Sequence, residues 1–167
     1  MTVEEKVLQL QQVAANGDSK IFESFIRRGA GSFLHVLGKD ADAIREKAAQ
    51  TRMKIPPIFG IDAIHGHALV NGAVVFPSQL AAACSWNREL IRQMGKATAE
   101  EVNADGLDFV FSPVLCLARD TRWGRVDETF GEDPYLAGEL GAAIVHGYED
   151  NGLVAACLKH YIGYGEA

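Results

Sequence analysis

Apolar residues recur along the chain in two alternating rhythms, helical spacings and short unbroken runs. Val3, Val7, Leu10 and Ala14 stand at helical intervals behind Thr2 and Glu5, a pair with the spacing of a capping box, so the chain opens on an amphipathic helix. A second helix is expected from about Asp18 to Gly29, with Ile21, Phe22, Phe25 and Ile26 on one side. The run SFLHVL then reads as a strand, and Ala41, Ile44 and Ala48 align on a helix from Asp40 to Met53. The same unit repeats. IPPIFGIDAIHG reads as a buried strand ending near Asp62, the short piece FPSQLAAAC follows, and NRELIRQMGKATAEEV forms a long helix capped by Asn87. A third unit begins with LDFVFSPVLCLA, passes through a long polar loop and continues as a helix from Asp133 and Pro134 to Tyr148, with Asp as the cap and Pro in the first turn. A fourth strand, GLVAACLKHYIG, closes the pattern.

Strands that are apolar throughout and separated by helices imply a parallel sheet covered on both faces. Polar residues gather just past the strand ends: Asp62 and His65, then Arg119 to Arg125, then Lys159 and His160. In a (β/α) barrel that rim carries the active site, and a complete barrel takes about 250 residues and eight strands. The expected fold is therefore α/β: a partial TIM (β/α)8 barrel of about four βα units with N-terminal helices and parallel strands. Residues 1–167 are expected to be the N-terminal portion of one such catalytic domain, truncated at the C-terminus, because GYGEA stops in a loop with no helix behind it. No Pro/Ser-rich or low-complexity stretch interrupts the alternation.

Composition narrows the chemistry. Sixteen basic against 22 acidic residues give a net charge of −6, which disfavours nucleic acid or an anionic membrane as partner and suits a neutral, polar one. No segment approaches the roughly 18 apolar residues that cross a bilayer, and the acidic, polar start has no cationic stretch leading into an apolar run. Cys84, Cys116 and Cys157 are widely spaced among apolar residues, without zinc or disulfide spacing, and read as small buried thiols.

Three strand ends carry more specific text. IPPIFGIDAIHGH, FSPVLCLARDTRWGRVDETFGEDPYL and CLKHYIGYG, with MTVEEKVLQL and FPSQLAAACSWN beside them, are collinear over nearly the whole chain. Together they resemble the signature stretches of glycoside hydrolase family 3, the β-glucosidases and exo-acting β-glucanases. The resemblance implies a retaining glycosidase, no cofactor, and a β-glucoside or β-glucan oligosaccharide as partner. It implies that Asp62, Arg125, Lys159 and His160 hold the hydroxyls of the terminal non-reducing sugar. The residue types agree with this, since a carboxylate accepts from vicinal hydroxyls while cationic side chains donate to them.

Each position also has a plainer reading. Asp62 could cap the following turn, and Arg125 could pair with Asp127 or Glu128. Arg119 and Arg122 fit a supporting role against the acids of their loop, and Trp123 suits either a sugar face or loop packing. His65 and His67 show an HGH spacing, but no third ligand lies near, so orientation of neighbouring groups is favoured over a metal. Glu128, Glu132 and Asp133 invite a catalytic carboxylate pair, yet GEDP reads better as a loop and helix cap. Retaining glycosidases need two carboxyl groups about 5 Å apart. The family's nucleophile is an Asp in an SDW or SDY context, which does not occur here, so none of the catalytic residues is expected in this chain and the chain alone is expected to be inactive.

Two departures stand out: Thr121 replaces the Pro common in DPRWGR, and Cys116 stands where an Asp is frequent. KHYIGYG, against the KHFPGHG usual in the N-acetylglucosaminidase branch with its catalytic His, favours a glucosidase or xylosidase. A different class of reading is a non-catalytic sugar-binding half-barrel that self-associates through open sheet edges.

Overall fold

The computed structural model describes residues 1–14, 19–161 and 163–165. In chain order its elements are α1 (Val3–Gln9), β1 (Gln12–Ala14), α2 (Ser19–Arg28), β2 (Ser32–Leu34), α3 (Gly38–Ala49), β3 (Ile58–Ile61), α4 (Gln79–Ala83), α5 (Arg88–Ala104), β4 (Phe109–Val110), α6 (Pro134–Glu149) and β5 (Ala155–Ala156), with a 3-10 turn at Val126–Glu128. The expected helix start at Asp18, Ile162 of the fourth strand, and residues 166–167 lie outside the described residues. The chain divides into two compact units, Met1–Ile61 with Ala104–Phe109, and Asp62–Asn103 with Val110–Ala167.

In the first unit β1 pairs with β2 and β2 with β3, both in parallel, with Val13 beside Phe33 and Phe33 beside Phe59. The aromatic core follows from that register: Phe33 stacks on Phe59 at 5.8 Å and takes the edge of Phe22 at 5.4 Å. Asp108 extends the sheet, its N–H donating to the Phe59 carbonyl at 2.9 Å while its carboxylate accepts from the Phe59 N–H at 2.8 Å. Arg45 covers Phe59, its guanidinium 4.5 Å from the ring centre.

The first helix is shorter than its periodicity suggests. The capping box forms as expected, with the Thr2 hydroxyl accepting from the Glu5 N–H and Glu5 accepting from the Thr2 N–H. The helix nevertheless stops at Gln9, and Gln12–Ala14 is a strand. The reason is tertiary. Gly31 donates its N–H to the Leu8 carbonyl at 3.0 Å and Ser32 donates to Gln11 at 3.1 Å, so backbone partners from β2 replace further helical bonds. A Cβ at Gly31 would stand 2.1 Å from the Gln9 oxygen, so this approach needs glycine.

In the second unit α5 and α6 pack through glycines. A Cβ on Gly147 would lie 2.2 Å from the Arg92 oxygen, and one on Gly95 2.6 Å from the Ile144 oxygen. Both helices start where cap chemistry places them: Asn87 accepts from the Leu90 N–H at 3.1 Å, and Asp133, ahead of Pro134, accepts from the Leu136 N–H at 2.8 Å. Ile91, Val102, Phe130, Leu140, Ile144 and Tyr148 are fully buried, and the Tyr148 hydroxyl donates to Ser112 at 2.8 Å. The segment beyond β4 runs parallel to the segment around β5. Cys157 donates to Ser112 at 3.0 Å and Lys159 to Pro113 at 2.9 Å. The buried Gln79 amide locks Val114 from the other side, accepting its N–H and donating to its carbonyl at 3.1 Å each.

The cysteines correct one expectation. Cys116 is buried and Cys157 half-buried, but Cys84 is exposed. The short α4 buries its Gln79 and Ala83 stripe, and Cys84 caps the helix off that stripe.

Candidate active site

The polar residues singled out at the strand ends all belong to the second unit. Asp62 is the first residue after β3, and Lys159 follows the short β5. Although 97 positions separate them, the Lys159 ammonium donates to Asp62 Oδ1 at 2.6 Å. Lys159 is the better buried of the two, at 14% side-chain exposure against 43%. Its backbone is pinned to the 113–115 segment, its N–H donating to the Pro113 carbonyl at 2.9 Å and its carbonyl accepting from the Leu115 N–H at 2.5 Å, opposite Val114. The lysine therefore rises from a paired backbone position rather than a free loop.

Arg125 is held by two partners. Its Nε and Nη2 donate to the two carboxylate oxygens of Glu128 at 2.7 Å each, and its Nη1 donates to the Tyr164 hydroxyl at 2.5 Å. This bidentate contact holds the guanidinium further above its ordinary range and the Glu128 carboxyl below its own. The 3-10 turn Val126–Glu128 brings the two partners together three residues apart.

His160 sits between sulfur and aromatic neighbours. Its Nδ1 lies 3.4 Å from the Cys116 sulfur, and its ring centre 4.9 Å from that of Tyr164. Burial is the first cause that lowers its pKa, followed by the Arg125 and Lys159 charges, with Glu128 and Asp62 pulling the other way. The imidazole is thus favoured in its neutral form, which offers one donor and one acceptor.

The supporting residues divide. Trp123 packs its ring edge-on against Tyr164 at 5.2 Å. Arg122 turns outward and pairs with Asp120 inside its own loop, lowering that carboxyl. Arg119 lines a cavity of about 620 Å³ with Leu115, Leu117, Pro134 and Tyr164. His65 is held by the Phe76 carbonyl, 3.2 Å from its Nδ1, in a turn that Gly66 permits: its φ is +99° and a Cβ would stand 2.1 Å from the Val74 oxygen. Asp133 caps α6, and Glu128 is engaged by Arg125. Among the described residues no three His, Cys, Asp or Glu side chains are grouped to hold a metal ion.

The structure thus joins Asp62 to Lys159 directly and sets Arg125 and His160 around one shared neighbour, Tyr164, which sequence reasoning did not single out. The available signal was the aromatic flanked by two glycines in GYG, just past the Lys-His pair. Chemically, the cluster offers one carboxylate, one ammonium, one guanidinium and one neutral imidazole, a set suited to adjacent hydroxyl groups.

A family model described as the glycosyl hydrolase family 3 N-terminal domain matches residues 2–167. A periplasmic β-glucosidase of Salmonella typhimurium is 33% identical over 175 residues, covering 99% of this chain and 22% of the relative. A β-xylosidase of Formosa agariphila is 38% identical over 140 residues, covering 77% of this chain and 19% of the relative. Among solved structures, a β-glucosidase involved in saponin metabolism from intestinal bacteria matches with a TM-score of 0.86 and 47% identity, covering 100% of this chain and 23% of that one. The Listeria innocua β-glucosidase in complex with isofagomine matches with a TM-score of 0.87 and 39% identity, covering 100% and 25%. The chain spans about a fifth of the length of the curated relatives it matches. These likenesses bear out the expected fold, an α/β arrangement of parallel strands and helices corresponding to part of a (β/α)8 barrel. The chain belongs to glycosyl hydrolase family 3, within that family's N-terminal domain.

Proposed function

We propose that this chain supplies the sugar-holding side chains of a retaining, exo-acting β-glycosidase, specifically a β-glucosidase. Asp62 accepts hydrogen bonds from hydroxyls of the terminal non-reducing sugar. Lys159, Arg125 and His160 donate to the oxygens beside them. The observation that carries the reading is the 2.6 Å contact between Lys159 and Asp62, which sets a donor and an acceptor side by side although 97 positions separate them. A glucosyl unit presents vicinal hydroxyls that such a pair can grip together. The Listeria innocua β-glucosidase was solved in complex with glucose, with gluconolactone and with isofagomine, which supports a glucose-like occupant here.

The bond-breaking carboxylates of this proposal lie outside residues 1–167. At the cluster, Glu128 binds Arg125 and Asp62 binds Lys159. Positioning by the cluster lowers the barrier by holding the anomeric carbon in reach of groups that act on it.

The test is Asp62→Ala in the protein as its gene encodes it, assayed on an aryl β-D-glucoside. Loss of hydrogen bonds to a charged acceptor in the reacting subsite should lower kcat/KM by on the order of 100-fold or more. An unchanged kcat/KM rejects the assignment. The β-xylosidase relative favours one second reading, and an aryl β-xyloside in the same assay separates the two by the ratio of kcat/KM values.

A further inference from the structure

We infer that Tyr164 is a positioning residue that fixes the guanidinium of Arg125 in its sugar-binding orientation, an inference that rests on the role proposed above for Arg125. A guanidinium carries five N–H donors. Glu128 takes two and the Tyr164 hydroxyl takes a third. That leaves two, the number needed to reach a pair of neighbouring hydroxyls. With Glu128 alone the group could still pivot about its bidentate edge, and the bond from Nη1 to Tyr164 removes that freedom.

The tyrosine is itself held. Its ring lies against Trp123 at 5.2 Å and against His160 at 4.9 Å, and Arg125 also approaches its face, 5.9 Å from the ring centre. The flanking glycines bring it there. Gly163 adopts φ +85°, and a Cβ at Gly165 would stand 2.0 Å from the Leu117 oxygen. The backbone therefore approaches the Leu117 segment as only glycine allows, delivering the phenol to Arg125 from 39 residues away. Trp123, Tyr164 and His160 form one continuous ring contact, so the phenol couples the arginine of one loop to the Lys-His pair of the next.

A double-mutant cycle tests this in the protein as its gene encodes it. Tyr164→Phe removes the hydroxyl and keeps the ring that packs on Trp123 and His160. Arg125→Lys keeps a charge and loses the fork. Tyr164→Phe should lower kcat/KM for an aryl β-D-glucoside by about tenfold, chiefly through KM, with the thermal midpoint little changed. In the Arg125→Lys background the same substitution should cost less than about twofold, because its partner is already gone. An equal loss in both backgrounds, or a lowered thermal midpoint with unchanged KM, overturns the inference. If Arg125→Lys alone retains wild-type kcat/KM, the sugar-binding role of Arg125 fails, and Tyr164 fails with it. If Arg125→Lys is impaired and Tyr164→Phe is not, only the positioning role is lost.

Discussion

His160 shows how a side chain's chemistry is set by what surrounds it. Its neighbours include two cations, Arg125 and Lys159, two acids, Glu128 and Asp62, and the Cys116 thiol. Burial and the cations prevail, so its folded pKa lies below the ordinary 6.5. For a group depressed in this way, its stabilising contribution is present above pH 6.5 and is lost as pH falls through the folded value. Observed by imidazole NMR, the His160 titration midpoint should fall below 6.5, and Cys116→Asp should move it upward by placing a carboxylate at the 3.4 Å contact. A midpoint unmoved by that substitution would mean that Cys116 does not govern the ring. The residue types of the site were legible in the Lys-His pair and the isolated Asp62. Glu128 was legible as a partner of Arg125 three residues away, whereas Cys116 and Tyr164 were not, since they meet His160 and Arg125 only across 44 and 39 positions.

At the scale of elements, α6 offers a sharp comparison between two glycines of the same helix. Gly147 lies against α5, whereas a Cβ on Gly138 would meet nothing within 4 Å. Gly147→Ala should therefore destabilise by about 3 kcal/mol through a forced shift of α5. Gly138→Ala should stabilise by about 0.5–1 kcal/mol through reduced freedom of the unfolded chain. Chemical denaturation of both variants measures the contrast, and equal effects would refute the packing account. Periodicity and caps predicted α5 and α6 well, because Asn87, Asp133 and Pro134 act on backbone groups within their own first turns. They failed at Gln12–Ala14, where the deciding hydrogen bonds come from β2, some twenty residues on.

Across the whole molecule, exposed and half-buried carboxylates are tied to arginine or lysine. Glu5 is lowered to about 2 by Arg52, and Glu89 to about 2 by Arg92, while Glu23 is lowered by Lys47 and then Arg27. Carboxylates depressed in the folded state contribute stability above pH 4.5 and lose it as pH falls toward 2. Circular dichroism against pH should accordingly show folding weaken below about 4.5, with added salt shrinking the effect because surface pairs are screened. A flat profile down to pH 2 would contradict it.

Sequence alone determined the alternation of parallel strands with helices, the caps that start α1, α5 and α6, and the family, because each rests on motifs of residues near one another along the chain. Tertiary structure alone decided that Gln12–Ala14 is a strand, that Cys84 is exposed, that Lys159 reaches Asp62, and that Tyr164 holds Arg125. The strand and the two side-chain contacts depend on segments 20 to 97 residues apart. A local pattern can specify a cap or a period, but which distant group satisfies a carboxylate or a backbone N–H is settled only when the chain has folded.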